Sequence, residues 1–267
     1  MKRIMKSISK YTTASAMLLS VLSCSRTADE ASGFGSICIA GRSTTEVSVK
    51  NGTSQQEATV EIPDLALPDE GAFAVSITDK EGTEQTWASL TEFGEGNRYF
   101  AEGDYTVRLS AGDIEDEGFD KPFFTGESTV HVTARTQATA TVTTHIGNSL
   151  AIIECTDNFS GYFTTASFTL TTAAGYSEEM TMPMDKPLFI RPQPFSITCK
   201  ATKQTGEEIA LPVQIFRDIA PRTRYTIRFD VADAGAGTVR IELDDTLVEE
   251  VEIDAELNDN ALPDEKQ

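Results

Sequence analysis

Tyr225-Thr226-Ile227-Arg228-Phe229-Asp230-Val231 is the stretch whose reading decides the fold class. Tyr225, Ile227, Phe229 and Val231 alternate with Thr226, Arg228 and Asp230. Successive residues of an extended strand point to opposite faces, so this pattern buries one face and wets the other. Downstream the alternation continues in Val239, Ile241 and Leu243 against Arg240 and Glu242. Upstream it recurs in Phe73, Val75 and Ile77, and in Tyr105, Val107 and Leu109. Runs such as Val130-His131-Val132-Thr133 and Ala138–Thr144 are rich in Thr and Val. β-Branched side chains suit a pleated, half-buried surface. Asn51-Gly52, Glu81-Gly82, Gly94-Glu95-Gly96, Glu102-Gly103-Asp104 and Gly235-Ala236-Gly237 supply the turns between runs. No stretch has a persuasive amphipathic helical pattern. Short strands at regular spacing predict an all-β chain of antiparallel β-sandwiches, transthyretin-like or Ig-like.

The N-terminus predicts export. Residues 1–23 carry Lys2, Arg3, Lys6 and Lys10 and no acid, followed by the apolar stretch Ala14–Leu22. That is the anatomy of a signal peptide and too short for a membrane-spanning helix. It ends in Val21-Leu22-Ser23-Cys24, which resembles the bacterial lipobox: a small residue precedes a cysteine that is acylated, with palmitate among the chains, and becomes the new N-terminus. Cys24 is the expected lipidation site. Each buried methylene contributes about 0.8 kcal/mol, so several chains hold a protein in its leaflet almost permanently. The expected location is the outer membrane, lipid-anchored and surface-exposed.

Charge narrows the partners. The chain has 22 basic and 42 acidic residues. Removing the signal leaves 18 basic against 42 acidic residues, a net charge of −24. Such a surface stays soluble and repels nucleic acid, for which there is also no basic stripe or module motif.

The mature length of about 240 residues exceeds one sandwich of about 100. Gly147-Asn148 falls between the Thr-rich run and a fresh apolar strand, Leu150-Ala151-Ile152-Ile153. The expected organisation is a signal peptide (1–23), a lipidated tether (24–33), sandwiches at 34–146 and 147–256 with a flexible joint between them, and an acidic disordered tail (257–267). The tail offers too little apolar area to offset ordering entropy. Val239–Leu243 alternates, the run from Thr246 restarts an apolar pattern, and this acidic C-terminal segment is expected to be a final strand at a sheet edge.

Candidate chemical sites are few. His131 and His145 lie in Thr-rich strands without a second ligand at metal spacing, which favours ordinary strand histidines. Asp113, Glu115, Glu117 and Gly118 fall at the first, third, fifth and sixth positions of a calcium loop, but the twelfth position is Phe124 rather than a bidentate Glu, which favours a solvated acidic turn. Cys38, Cys155 and Cys199 are too few for a disulfide framework. Cys155 and Cys199 read as small buried hydrophobes, and their pairing stays open. No nucleophile elbow, Walker loop or zinc motif occurs, no cofactor is implied, and the chain reads as a non-enzyme. Trp87, Tyr99, Phe123 and Phe124 are candidate ligand-binding aromatics, against the alternative that they fill the core.

Tyr99–Gly112, with Gly103-Asp104-Tyr105-Thr106-Val107, is followed by Pro122-Phe123-Phe124-Thr125-Gly126. With Trp87 upstream and Pro221–Tyr225 downstream, this resembles a family of Bacteroidetes surface lipoproteins built on a domain of unknown function. Its hallmarks are a G-x-Y-x-V strand and a P-[FY]-[FY]-x-G turn, and the likeness spans roughly residues 35–255. More distantly the layout is similar to fimbrillin-type lipoproteins, a lipobox followed by two transthyretin-like sandwiches. The resemblance implies fold and location and transfers no activity. Asp245-Thr246-Leu247 looks like the acceptor motif for O-glycosylation of exported Bacteroidetes proteins, making Thr246 a candidate site.

The expected function is a non-catalytic structural or adhesive role in the cell envelope, in a fimbria-associated setting. The alternative is a glycan-binding surface lipoprotein of a nutrient-uptake system. The first requires an incomplete sandwich with an apolar groove that accepts a strand from a protein partner. The second requires coplanar exposed aromatics near Trp87.

Overall fold

The computed structural model describes residues 33–50, 57–62, 64–233, 238–244 and 246–252. The expected signal peptide, Cys24, the expected tether up to residue 32 and the expected tail from 257 lie outside the described residues. The first half contributes β1 (Phe34–Ser43), β2 (Glu46–Lys50), β3 (Glu57–Glu61), β4 (Ala74–Asp79), β5 (Glu84–Trp87), β6 (Phe100–Ala101), β7 (Gly103–Ala111), β8 (Phe124–Val132) and β9 (Gln137–Ile146). The second half contributes β10 (Ser149–Cys155), β11 (Phe163–Thr172), β12 (Ser177–Thr181), β13 (Leu188–Ile190), β14 (Phe195–Lys203), β15 (Glu208–Phe216), β16 (Thr223–Asp233), β17 (Thr238–Leu243) and β18 (Thr246–Glu252).

The all-β expectation holds. Two short helices, α1 (Leu90–Gly94) and α2 (Asp157–Tyr162), interrupt the strands. Each is started by a side chain that accepts an otherwise orphaned amide: Ser89 from Glu92 N at 3.0 Å, Thr156 from Phe159 N at 3.2 Å. One turn of helix is too short to leave a period in the sequence.

The strands form a sheet of order β5-β4-β7-β8-β9-β1-β6, a second of order β13-β10-β16-β17-β18 with the β2–β3 hairpin attached through β16, and a third of order β12-β11-β14-β15. β8 and β9 pair only at Phe124–Ile146 and Thr125–His145, so the first sheet folds over at that corner. Gly126 sits there because a Cβ would lie 2.2 Å from the Thr143 carbonyl oxygen. Val75, Ile77, Val107 and Leu109 from one layer then bury against Ile37, Ile39, Ala140 and Val142 from the other. In the second half Phe168, Leu170 and Ile197 pack on Ile153, Ile227 and Phe229. The stretch that opened the sequence reading is buried as its alternation predicts: Tyr225 2%, Ile227 0%, Phe229 1%, Val231 2% exposed. β18 lies at a sheet edge, as its acidic composition requires.

The wholly antiparallel expectation is corrected. β1 runs parallel to β9, β10 parallel to β16, and β2 parallel to β16. Alternation encodes which face is buried but not the direction of the neighbouring strand.

At the expected joint the chain is buried and hydrogen-bonded. Asn148 and Ser149 are each 0% exposed. Asn148 Oδ1 accepts the Phe123 amide at 2.5 Å, its carbonyl accepts the Arg222 amide at 2.8 Å, and Ser149 Oγ donates to the Ala220 carbonyl at 2.7 Å. Leu150 and Phe189, from the second half, pack into the first core.

Candidate functional site

β1 pairs with β9 from Ser36 to Ser43, whereas on its other side only Phe34 and Gly35 have partners, in β6. Ser36 N and Thr44 N donate to Thr136 O and Thr144 O. Backbone groups alternate sides along a strand, so Ser36, Cys38, Ala40 and Arg42 face β9. Ile37, Ile39, Gly41 and Ser43 turn their N–H and C=O the other way. Among the described residues no strand pairs with that side beyond Gly35.

A small, mostly apolar crevice adjoins the far end of this edge. Gly41 and Ser43 line it with Leu67, Phe73, Leu90 and Leu109. The irregular segment that carries Leu67 and Pro68 connects β3 to β4, and α1 brings Leu90. Gly41 opens the floor, since its missing Cβ would sit 3.5 Å from Leu109 Cδ1. Arg42 and Glu70 add one charge of each sign to the lining. An unpaired ladder beside an apolar recess has the parts to take an extended peptide: backbone groups to bond it and a recess for one of its side chains.

The aromatic candidates separate. Phe124 is 1% exposed and belongs to the first core. Phe123 is half-buried, its ring at the position a Gly147 Cβ would fill at 2.7 Å. Trp87 is half-buried, edge-on to Phe93 at 78° and to Phe100 at 70°, and the Arg98 guanidinium lies over its ring at 5.6 Å. Phe93 and Phe100 are each 3% exposed. These rings do not form the coplanar exposed platform that sugar stacking requires. Tyr99 is 44% exposed.

The acidic loop ties the two halves together. The Glu117 side chain is 1% exposed and accepts from Thr172 Oγ1 at 3.0 Å and Arg191 N at 2.8 Å. Arg191 also pairs with Glu115 at 2.8 Å, and Gly118 exchanges two backbone bonds with Phe189. Asp113 caps the Glu115 amide at 2.9 Å. These carboxylates are engaged within the protein, Glu117 as a buried acceptor rather than part of a solvated turn.

His131 Nδ1 lies 2.7 Å from Asp104 on the surface. His145 is half-buried; burial, then the Arg222 charge, hold its pKa below the ordinary value, against a backbone bond to Thr143. Cys155 and Cys199 are thiols at the second core, and burial pushes each up to about 12. Thr246 opens β18, and its side chain lies outside the described residues, as does Cys24.

Sequence reasoning missed the open edge of β1. Neither this strand nor its flanks were read from the sequence, and which strands flank it depends on contacts more than a hundred residues apart, as in Ser43–Thr144. Ser89-Leu90-Thr91-Glu92 was a usable signal for α1, because a Ser followed three residues later by Glu is a capping-box pattern.

The model of a domain of unknown function, DUF4493, matches residues 33–259, and the chain belongs to that family. No curated protein matches it. Solved structures similar to it include a candidate cell adhesion protein from Bacteroides eggerthii, at 12% identity and TM-score 0.40, covering 78% of this chain and 88% of the other. A candidate cell adhesion protein from Bacteroides ovatus has 13% identity and TM-score 0.41, with coverage of 82% and 100%. A candidate polysaccharide-binding protein from Bacteroides thetaiotaomicron has 11% identity and TM-score 0.34, with coverage of 80% and 99%.

Proposed function

We propose that this member of the DUF4493 family is a non-catalytic, lipid-anchored surface protein of the outer membrane that adheres by accepting an extended segment of a protein partner along β1. The observation that carries the reading is the side of β1 from Ile37 to Ser43 that pairs with no strand among the described residues, next to the apolar crevice at Gly41–Ser43. Main-chain bonds supply affinity in such strand addition, and the recess selects a side chain. The charge of −24 after signal removal favours solubility and disfavours anionic partners such as nucleic acid.

Gly41→Pro tests it. The substitution removes an N–H that points away from β9, so the β1–β9 ladder is kept. A photo-crosslinking residue at Ser43 in intact cells is expected to give a discrete adduct that Gly41→Pro abolishes. An adduct unaffected by Gly41→Pro, or none with the protein present at the surface, rules the reading out. The anchor has its own test: Cys24→Ala should move the protein from the membrane fraction to the soluble fraction. Thr246 is proposed as an O-glycosylated residue, and an intact mass equal to that of the lipidated polypeptide alone would exclude it.

A further inference from the structure

Two exposed aromatic side chains stand where the described residues begin. Phe34 is 43% and Tyr99 44% exposed. Gly35 pairs with Phe100, and Phe100 is directed into the core at 3% exposure. Phe34 and Tyr99 flank that pair and therefore point to the opposite, outer face. Arg135, exposed in the turn between β8 and β9, donates its amide to the Phe34 carbonyl at 2.7 Å. Glu102 donates its amide to the Gly33 carbonyl at 3.0 Å, so this end carries an acid as well.

We infer that Phe34, Tyr99 and Arg135 form a membrane-facing patch that seats this end of the first sandwich on the lipid interface. The inference rests on acylation of Cys24. Gly33 follows Cys24 by nine positions. Such a segment reaches at most about 30 Å when extended, and about 17 Å in root mean square as a coil. The headgroup layer is only about 5–8 Å deep. An anchored chain thus holds Phe34 within range of the interface, where docking is an intramolecular event at high effective concentration. Two exposed aromatic side chains and an arginine at one end of the fold suit that layer: rings enter the boundary while the phenol and guanidinium stay with headgroups and water. The contact aims the molecule. Ser43 lies nine residues along β1 from Phe34, about 30 Å at a strand's rise per residue, so the open end of β1 and its crevice face away from the membrane.

The test uses the full-length lipidated protein with its single tryptophan replaced, Trp87→Phe, carrying either Phe34→Trp or Tyr99→Trp. Ile215→Trp, at a position 55% exposed on β15, serves as the reference. Each variant is reconstituted in phosphatidylcholine vesicles with or without brominated acyl chains, and flotation is measured in parallel. Flotation with fluorescence at residues 34 and 99 quenched at least about twofold more than at 215 supports the patch. Flotation with no preferential quenching at 34 and 99 overturns the patch and leaves the anchor standing. Failure to float overturns the anchor and the patch with it.

Discussion

Asn148 Oδ1 accepts the backbone amide of Phe123 at 2.5 Å, across the seam between the two halves of the molecule. Asn148 is fully buried, and Phe123 is the second residue of the P-F-F-x-G turn that leads into β8. Asn148→Ala should therefore leave a buried N–H without a partner, at a cost of about 1–3 kcal/mol. Thermal melting monitored by circular dichroism checks it, and a change within error would show that this bond does not hold the seam.

Because the seam also contains the β2–β16 ladder, the Gly118–Phe189 bridge and Leu150 in the first core, the halves are expected to unfold together. A chain ending at Ile146 loses Leu150, Phe189 and the partner of β2. Calorimetry of the mature protein should give one transition, and separately expressed halves should be less stable than the same regions in the intact chain. Two resolved transitions would show that the halves act independently.

Phe229 and Phe168 meet across the second core with ring centroids 4.8 Å apart. Phe229→Ala should cost about 3–5 kcal/mol, the range for truncating a fully buried aromatic. Urea denaturation measures it; a loss below about 1 kcal/mol would mean the core collapses around the cavity.

Burial pushes the Cys155 and Cys199 thiols up to about 12, which leaves almost no thiolate at neutral pH. Alkylation at pH 8 followed by peptide mass spectrometry should find both unmodified in the native protein and both modified in denaturant. Native labelling at rates typical of exposed thiols would contradict their placement.

His145 makes stability pH-dependent in a definite direction. Burial and the Arg222 charge depress its folded-state pKa below the ordinary value of 6.5. Above that value neither state is protonated and the residue contributes nothing. As pH falls through 6.5 the unfolded chain binds the proton first, so stability drops until the folded-state value is passed. His145→Gln should flatten this part of the stability profile. An unchanged slope between pH 6.5 and 5 would assign the acid sensitivity to other groups.

The sequence by itself determined the strands and their faces. Alternation at Tyr225–Val231, Phe73–Ile77 and Val107–Leu109 is local information, since each side chain's facing follows from its neighbours two residues away. Composition likewise placed an acidic last strand at an edge, because its charge is tolerated only there. The basic, then apolar, then cysteine-ended N-terminus predicts export from residues alone. Tertiary structure decided what those residues could not encode. Whether β9 runs parallel to β1, whether the second side of β1 finds a partner, and whether Asn148 is a hinge or a buried seam all depend on segments distant in sequence. The same holds for the aromatics: Phe124 and Tyr99 read alike in the sequence, yet packing sends one into the core and leaves the other 44% exposed. Pairing partners and burial are set by the global minimisation of unsatisfied backbone groups and exposed apolar surface, a property of the whole chain rather than of any stretch of it.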